Sequence, residues 1–284
     1  MTTALPDTSE SPMVRMGRIS FINVDPIYYG LEYGQLSGNL QIISAPPAEL
    51  NRMMADGMLD VSSVSSAAYG LRHKEWLLLP GLSIACTGDV MSVLLVSRVP
   101  LALLQGRRIL ATDESATAVR LMKLMFYYKN ITPLFETRKI HAPSQVDSDA
   151  MAALVIGDSA LRHDWRNEFE FVWDLGDLWA RHAKLPFVFA VWAVRKQFAA
   201  AHPFRVSQMI ALLHESTRLG LANLDAVVKS ASERLNLDPG LARKYFENFC
   251  YGFGEPEKSG LSAFFKDLHS MGIYQEPALI RFFE

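Results

Sequence analysis

The residues of this chain that could do chemistry are short polar groups placed where a strand gives way to a helix. Ser115-Ala116-Thr117 follows the apolar run Arg108 to Ala111 and opens a helical pattern. Free backbone N–H groups at such a start, two hydroxyls and the positive helix end converge on an anion, and a carboxylate fits. A Ser-x-Thr opening is also an ordinary N-cap, and spacing alone leaves both readings open. Ser65 and Ser66, at the end of another apolar run, invite the same two readings. Asn23 precedes Val24-Asp25-Pro26, which either turns its amide, both donor and acceptor, toward a cleft or forms a simple turn. Ser92 begins a β run that ends at Arg98, and Gly157-Asp158 closes a further apolar strand, lining a cleft or turning the chain.

Other chemistries find no support. Cys86 has no histidine in a recognisable relation to it and reads as small buried filler. Cys86 and Cys250 form no Cys-x-x-Cys pair, and the seven histidines are scattered without metal-ligand spacing, so neither a metal nor a redox centre is expected. There is no phosphate loop, no Gly-rich dinucleotide turn and no Gly-x-Ser-x-Gly elbow, so no cofactor is expected.

The elements that must position these groups follow from periodicity. Strand 16–24, helix 26–33, strand 40–44, helix 46–56, strand 59–64 and a helix from Ser65–Ser66 alternate in a β-α-β-α-β order, which favours a parallel sheet. A second α/β unit begins after Pro100, with a short helix to Leu104, strand 108–111 and a helix over 115–128, where Val119, Met122, Met125 and Phe126 share a face. Strands follow at 152–156 and 169–173, and 204–283 is helical. The runs Ser92–Arg98 and Phe189–Arg195 look alike, each a β segment ending in arginine. Taken as two crossover strands, they divide the chain into an outer lobe of residues 1–97 plus 195–284 and a middle lobe of 98–194. The cleft between the lobes is expected to close on a ligand, hinging near Val96–Arg98 and Ala193–Arg195.

Half of the 284 residues are hydrophobic and 20% are charged, the balance of a folded globule. The net charge of −2, with no Lys/Arg run, makes nucleic acid an unexpected partner. No apolar stretch approaches the ~20 residues that span a bilayer, so a membrane is not an expected partner either. The first dozen residues carry no basic n-region or apolar h-region, so they read as a disordered leader of a cytoplasmic protein.

Several ordered segments resemble the menaquinone-biosynthesis dehydratase family of the futalosine route. They are Gly17-Arg-Ile-Ser-Phe-Ile-Asn-Val-Asp-Pro26, Leu59-Asp-Val-Ser-Ser-Val-Ser-Ser66, Leu79-Pro-Gly-Leu-Ser-Ile84 with Gly88-Asp-Val-Met-Ser-Val93, Ser115-Ala-Thr-Ala-Val-Arg-Leu121, Val155-Ile-Gly-Asp158 and Leu185-Pro-Phe-Val-Phe-Ala190. The chain departs from the family in carrying Ala118 where Ser or Thr is usual, and Ser63-Val64 before the paired serines. The resemblance implies a two-lobed periplasmic-binding-protein-like fold of type II with a helical C-terminal segment, and dehydration of chorismate, a small dicarboxylate, to 3-[(1-carboxyvinyl)oxy]benzoate. It also implies that Asn23 and Ser92 face the reacting ring and that the Ser115–Thr117 helix start holds a carboxylate; Ser65, Ser66, Gly157 and Asp158 are expected to bind substrate from their place just after strands. A solute-binding protein for a small carboxylate would share this fold, as would the sister 1,4-dihydroxy-6-naphthoate synthase. The sister enzyme begins with a Pro-Asn-Asp-Thr-Phe-like segment where this chain has Phe21-Ile-Asn-Val-Asp-Pro26.

Overall fold

A computed structural model describes residues 13–284; the expectations about the first dozen residues lie outside them. The chain opens on β1 (Val14–Ile19), a 3-10 turn, α1 (Asp25–Glu32), β2 (Leu40–Ala45), α2 (Pro47–Ala55), β3 (Val61–Ser65), α3 (Ser66–Arg72) and β4 (Trp76–Cys86). Next come β5 (Val93–Ser97), β6 (Arg108–Ala111), α4 (Ala116–Tyr128), β7 (Leu134–Thr137), β8 (Ala152–Ile156), α5 (Asp158–Arg162), α6 (Trp165–Glu168), β9 (Phe171–Asp174) and α7 (Leu175–Ala183). The chain returns through β10 (Phe187–Arg195) to α8 (Lys196–Ala201), α9 (Pro203–Ala222), α10 (Leu224–Leu235), α11 (Pro239–Glu247), β11 (Phe249–Cys250) and α12 (Glu255–Ser270).

Two sheets form two lobes. The first has the order β11-β4-β10-β3-β1-β2 and the second β7-β6-β8-β5-β9. β1 pairs in parallel with β2 and β3, as the alternation of strands and helices requires, and β6 pairs in parallel with β7 and β8. β10 runs antiparallel between β3 and β4, and β5 antiparallel between β8 and β9. This pairing corrects the expected lobe boundaries. β5 belongs wholly to the second sheet and β10 wholly to the first, so the passages between lobes are residues 87–92 and 175–186 rather than points near 97 and 195. β5 is fully buried and β10 is buried at all but Phe189 and Arg195, and hydrophobicity alone does not say which sheet takes them. The long β4 and the two-residue β11 were not anticipated, and the strand expected over 16–24 ends at Ile19, giving way to a 3-10 turn at Ile22–Val24. Among the described residues no helix is long and apolar enough to cross a membrane.

The arginine that ends β10 has a structural use. Asp60, just before β3, takes three hydrogen bonds from Arg15 on β1, through its backbone N, Nε and Nη2 at 2.7–3.0 Å, and one from Arg195 Nη2 at 2.7 Å. One carboxylate thus pins three neighbouring strands. Burial pushes the Asp60 carboxyl up, but the hydrogen bonds from the Arg15 side chain and backbone and from Arg195 outweigh it and hold the group below the ordinary carboxylate value. A carboxyl lowered by folding contributes stability above its unfolded pKa and loses it as pH falls through the folded one. Asp60→Asn is therefore expected to cost ~1–3 kcal/mol at pH 7, and the gap from wild type should narrow as the pH falls below about 4. Denaturant melts across that range check this; a gap that stays constant contradicts it.

Candidate active site

The cleft lies where β1, β3, β6 and β8 of the two lobes end and their helices begin. Its polar lining is Asn23 from the turn after β1, Ser65 from the end of β3, Ser92 from the first passage, and Ser115 and Gly157 from the turns after β6 and β8. The rest is apolar, with Ile19, Phe21, Val90, Val93, Ile156, Phe189 and Phe249 prominent. No charged side chain lines it. Such a slot suits a flat ring whose anionic substituents are held by neutral donors and helix starts.

Each polar group is set by its local structure. Ser115 caps α4 by accepting from Ala118 N at 3.2 Å, leaving the Ala116 and Thr117 N–H groups without an acceptor among the described residues. The N-cap and anion readings of this helix start are therefore compatible, because the hydroxyl satisfies one donor and leaves two. Ser65 caps the short α3 and is gripped by Asn51, whose Nδ2 donates to its Oγ and whose Oδ1 accepts its backbone N–H, both at 3.0 Å. Asn23 Oδ1 is buried with no hydrogen-bond partner among the described residues. Buried polar atoms are nearly always satisfied, so this oxygen is an exception among the groups around the cleft. Ser92 is 3% exposed and its Oγ accepts from Tyr245 Oη at 3.0 Å.

The remaining sequence candidates lie beside the cleft, outside its lining. Thr117 Oγ1 accepts from Ala67 N at 2.9 Å, joining the start of α4 in one lobe to the start of α3 in the other. Asp158 Oδ1 accepts from Ile22 N at 3.1 Å, again across the lobes, and burial raises its carboxyl above the ordinary value against that hydrogen bond and nearby arginines. With Ala48 N donating to Glu114 O at 3.1 Å, these contacts bridge the two lobes. Ser66 Oγ is buried and unpartnered, and Ala116 offers its backbone alone.

Sequence reasoning passed over the aromatic walls. Phe21 and Phe189 stand inside segments that carry the family resemblance, but their rings had no polar signature to single them out. Phe249 and Tyr245 come from the helical tail, more than 150 residues from Ser92 in the case of Tyr245, and no spacing rule connects them. Asp174 was also missed, although a carboxylate before Leu175-Gly176 is a recognisable N-cap signal. Among the described residues no His/Cys/Asp/Glu group could hold a metal ion.

Two α/β lobes joined by two passages, with a ligand slot at the strand ends between them, define a protein of the periplasmic-binding-protein-like class. Solved structures agree. A protein of Archaeoglobus fulgidus superposes with a TM-score of 0.75 at 18% identity, over 92% of this chain and 98% of its own. The periplasmic aliphatic sulphonate binding protein of Escherichia coli gives 0.65 at 12%, over 96% and 98%. The sequence pattern of the family described as menaquinone biosynthesis matches residues 14–270, and the chain belongs to that family. It is 35% identical over 265 residues, 88% of this chain and 93% of the relative, to the chorismate dehydratase of Thermus thermophilus. The 1,4-dihydroxy-6-naphtoate synthase of the same organism is 26% identical over 175 residues, 61% of this chain and 62% of the relative.

Proposed function

We propose that this protein is a chorismate dehydratase, a cytoplasmic hydro-lyase that converts chorismate to 3-[(1-carboxyvinyl)oxy]benzoate and water. The observation that carries the reading is a neutral, aromatic-walled slot with unspent donors at its rim, in a chain similar to a chorismate dehydratase over nearly its whole length. Loss of the C3 proton and the C4 hydroxyl makes the ring aromatic, so the reaction is downhill and needs orientation more than electrophilic force.

Charge that develops when the C3 proton leaves spreads through the C1–C2 double bond onto the ring carboxylate. Donors at the Ser115–Thr117 helix start, holding that carboxylate, stabilise this charge in the transition state. Ser92 and Asn23 hydrogen-bond the departing hydroxyl or the enolpyruvyl carboxylate, with Ser65 supporting the same end. The phenylalanines hold the ring and exclude water. None of the lining side chains is a base at neutral pH, so the proton passes to the substrate's own carboxylate or to a water.

Incubation of the protein with chorismate, followed by absorbance and mass spectrometry, tests the reading. The expected result is an aromatic product lighter than chorismate by one water, formed equally well after EDTA treatment. Tight binding of chorismate without turnover would instead make the chain a binding protein. Activity lost to EDTA and restored by a divalent ion would contradict the cofactor-free mechanism.

A further inference from the structure

We propose that Tyr245 and Asp174 are positioning residues that fix Ser92 as a hydrogen-bond donor into the cleft. This rests on the dehydratase reading, in which Ser92 touches the substrate. Tyr245, on α11, is fully buried, and Ser92 Oγ is its hydroxyl's sole recorded partner among the described residues. Burial pushes its ionisation far above the ordinary phenol range, so it stays protonated and donates. With one lone pair of Ser92 Oγ filled by that proton, the serine's own hydrogen is left with a long contact of 3.4 Å to Val90 O. A substrate oxygen nearby outcompetes that contact, and donation into Oγ polarises the serine O–H and strengthens it as a donor.

Asp174 sets the backbone from which Ser92 projects. Met91, the preceding residue, has φ of +62°, a left-handed conformation uncommon for a residue with a side chain. Asp174 Oδ2 accepts its N–H at 2.6 Å, and Oδ1 accepts from Val90 N at 3.1 Å, Gly176 N at 2.8 Å and Asp177 N at 3.2 Å. The carboxylate therefore clasps the passage leaving the first lobe to the start of α7, where the return passage begins. Gly176 permits the approach, since a Cβ there would lie 2.5 Å from Gly88 O. On its far side Ser92 O accepts from Gly157 N at 2.8 Å. Ser92 is thus held from three directions, with its hydroxyl proton left on the long contact to Val90 O.

The test is a pair of double-mutant cycles on the full chain with chorismate as substrate. Tyr245→Phe is expected to lower kcat roughly tenfold and Asp174→Asn ~10- to 100-fold, each with KM little changed. In a Ser92→Ala background neither should lower kcat by more than about twofold, because the group they position is gone. Full, multiplicative losses in that background would mean that both act through general stability and would overturn the inference. Met91→Gly is expected to restore part of the Asp174→Asn loss, since glycine takes the left-handed conformation without the clasp; no recovery overturns the part assigned to Asp174. Wild-type turnover by Ser92→Ala alone would instead remove Ser92 from the reaction and, with it, the reading on which the inference rests.

Discussion

Asn23→Ala is expected to lower kcat about 100- to 1,000-fold, the usual cost of losing an oriented donor at a site of developing charge, while the fold survives. The reason lies in the unpaired state of its side chain. Asn23 Oδ1 is buried without a partner, so truncation strands no other group and fills no core position. Stability should remain within ~0.5 kcal/mol of wild type. Ser92→Ala should give a loss of the same order. Asn23→Asp sharpens the point, because it keeps the shape and adds a negative charge to a cleft lined by no cation; KM for a dicarboxylate should then rise as well. Steady-state kinetics beside thermal melts separate these effects, and near-wild-type rates in both alanine variants would move the site elsewhere.

Gly157→Ala is expected to weaken substrate binding by an order of magnitude or more. Gly157 has φ of +62° and ψ of −144°, a backbone region that is essentially glycine's own, and a side chain there costs ~1–3 kcal/mol. The added methyl would also meet the Phe21 ring at 2.7–2.8 Å. Phe21 belongs to the first lobe and Gly157 to the second, so the methyl acts as a wedge that penalises the closed form above all. Each ~1.4 kcal/mol of that penalty is a tenfold loss of affinity. Solution scattering with and without product should show the wild type contracting on binding and the variant contracting less. The double variant Phe21→Ala/Gly157→Ala should recover closure, since the wedge then has nothing to press on. A wild-type KM in Gly157→Ala would show that this contact does not gate binding.

Legibility in the sequence followed the range of the interactions. α4 could be read because Val119, Met122, Met125 and Phe126 repeat along one face, and because Ser115 is a local cap. Strands β6 and β8 appear at the residues where the apolar runs placed them. The parallel pairing of β1 with β2 and β3 followed from the helices between them. The sheet membership of β5 and β10 did not, since a largely buried strand looks the same in either sheet and its neighbours are chosen by tertiary packing. Asn23, Ser65, Ser115 and Gly157, which line the cleft, stand at or just beyond strand ends, where position alone singles them out. Asp158 and Thr117, with the same local signature, turned out to spend their oxygens on Ile22 N and Ala67 N. No local pattern distinguishes a hydroxyl that lines the cleft from one that fastens the other lobe.

The place of β10 bears on how the chain is made. The second sheet is assembled from one unbroken stretch, residues 93–174, whereas the first needs β10, inserted between β3 and β4. As the chain leaves the ribosome the second lobe can therefore finish while β3 and β4 still wait with bare edges. Their side chains are almost wholly buried in the finished protein, so the waiting intermediate displays apolar surface and unpaired backbone together. Synthesis stalled or cut short before residue 187 would leave one completed lobe tethered to an open, adhesive sheet. The architecture thus makes the first half of the sequence dependent on the last third for its solubility as well as for its shape.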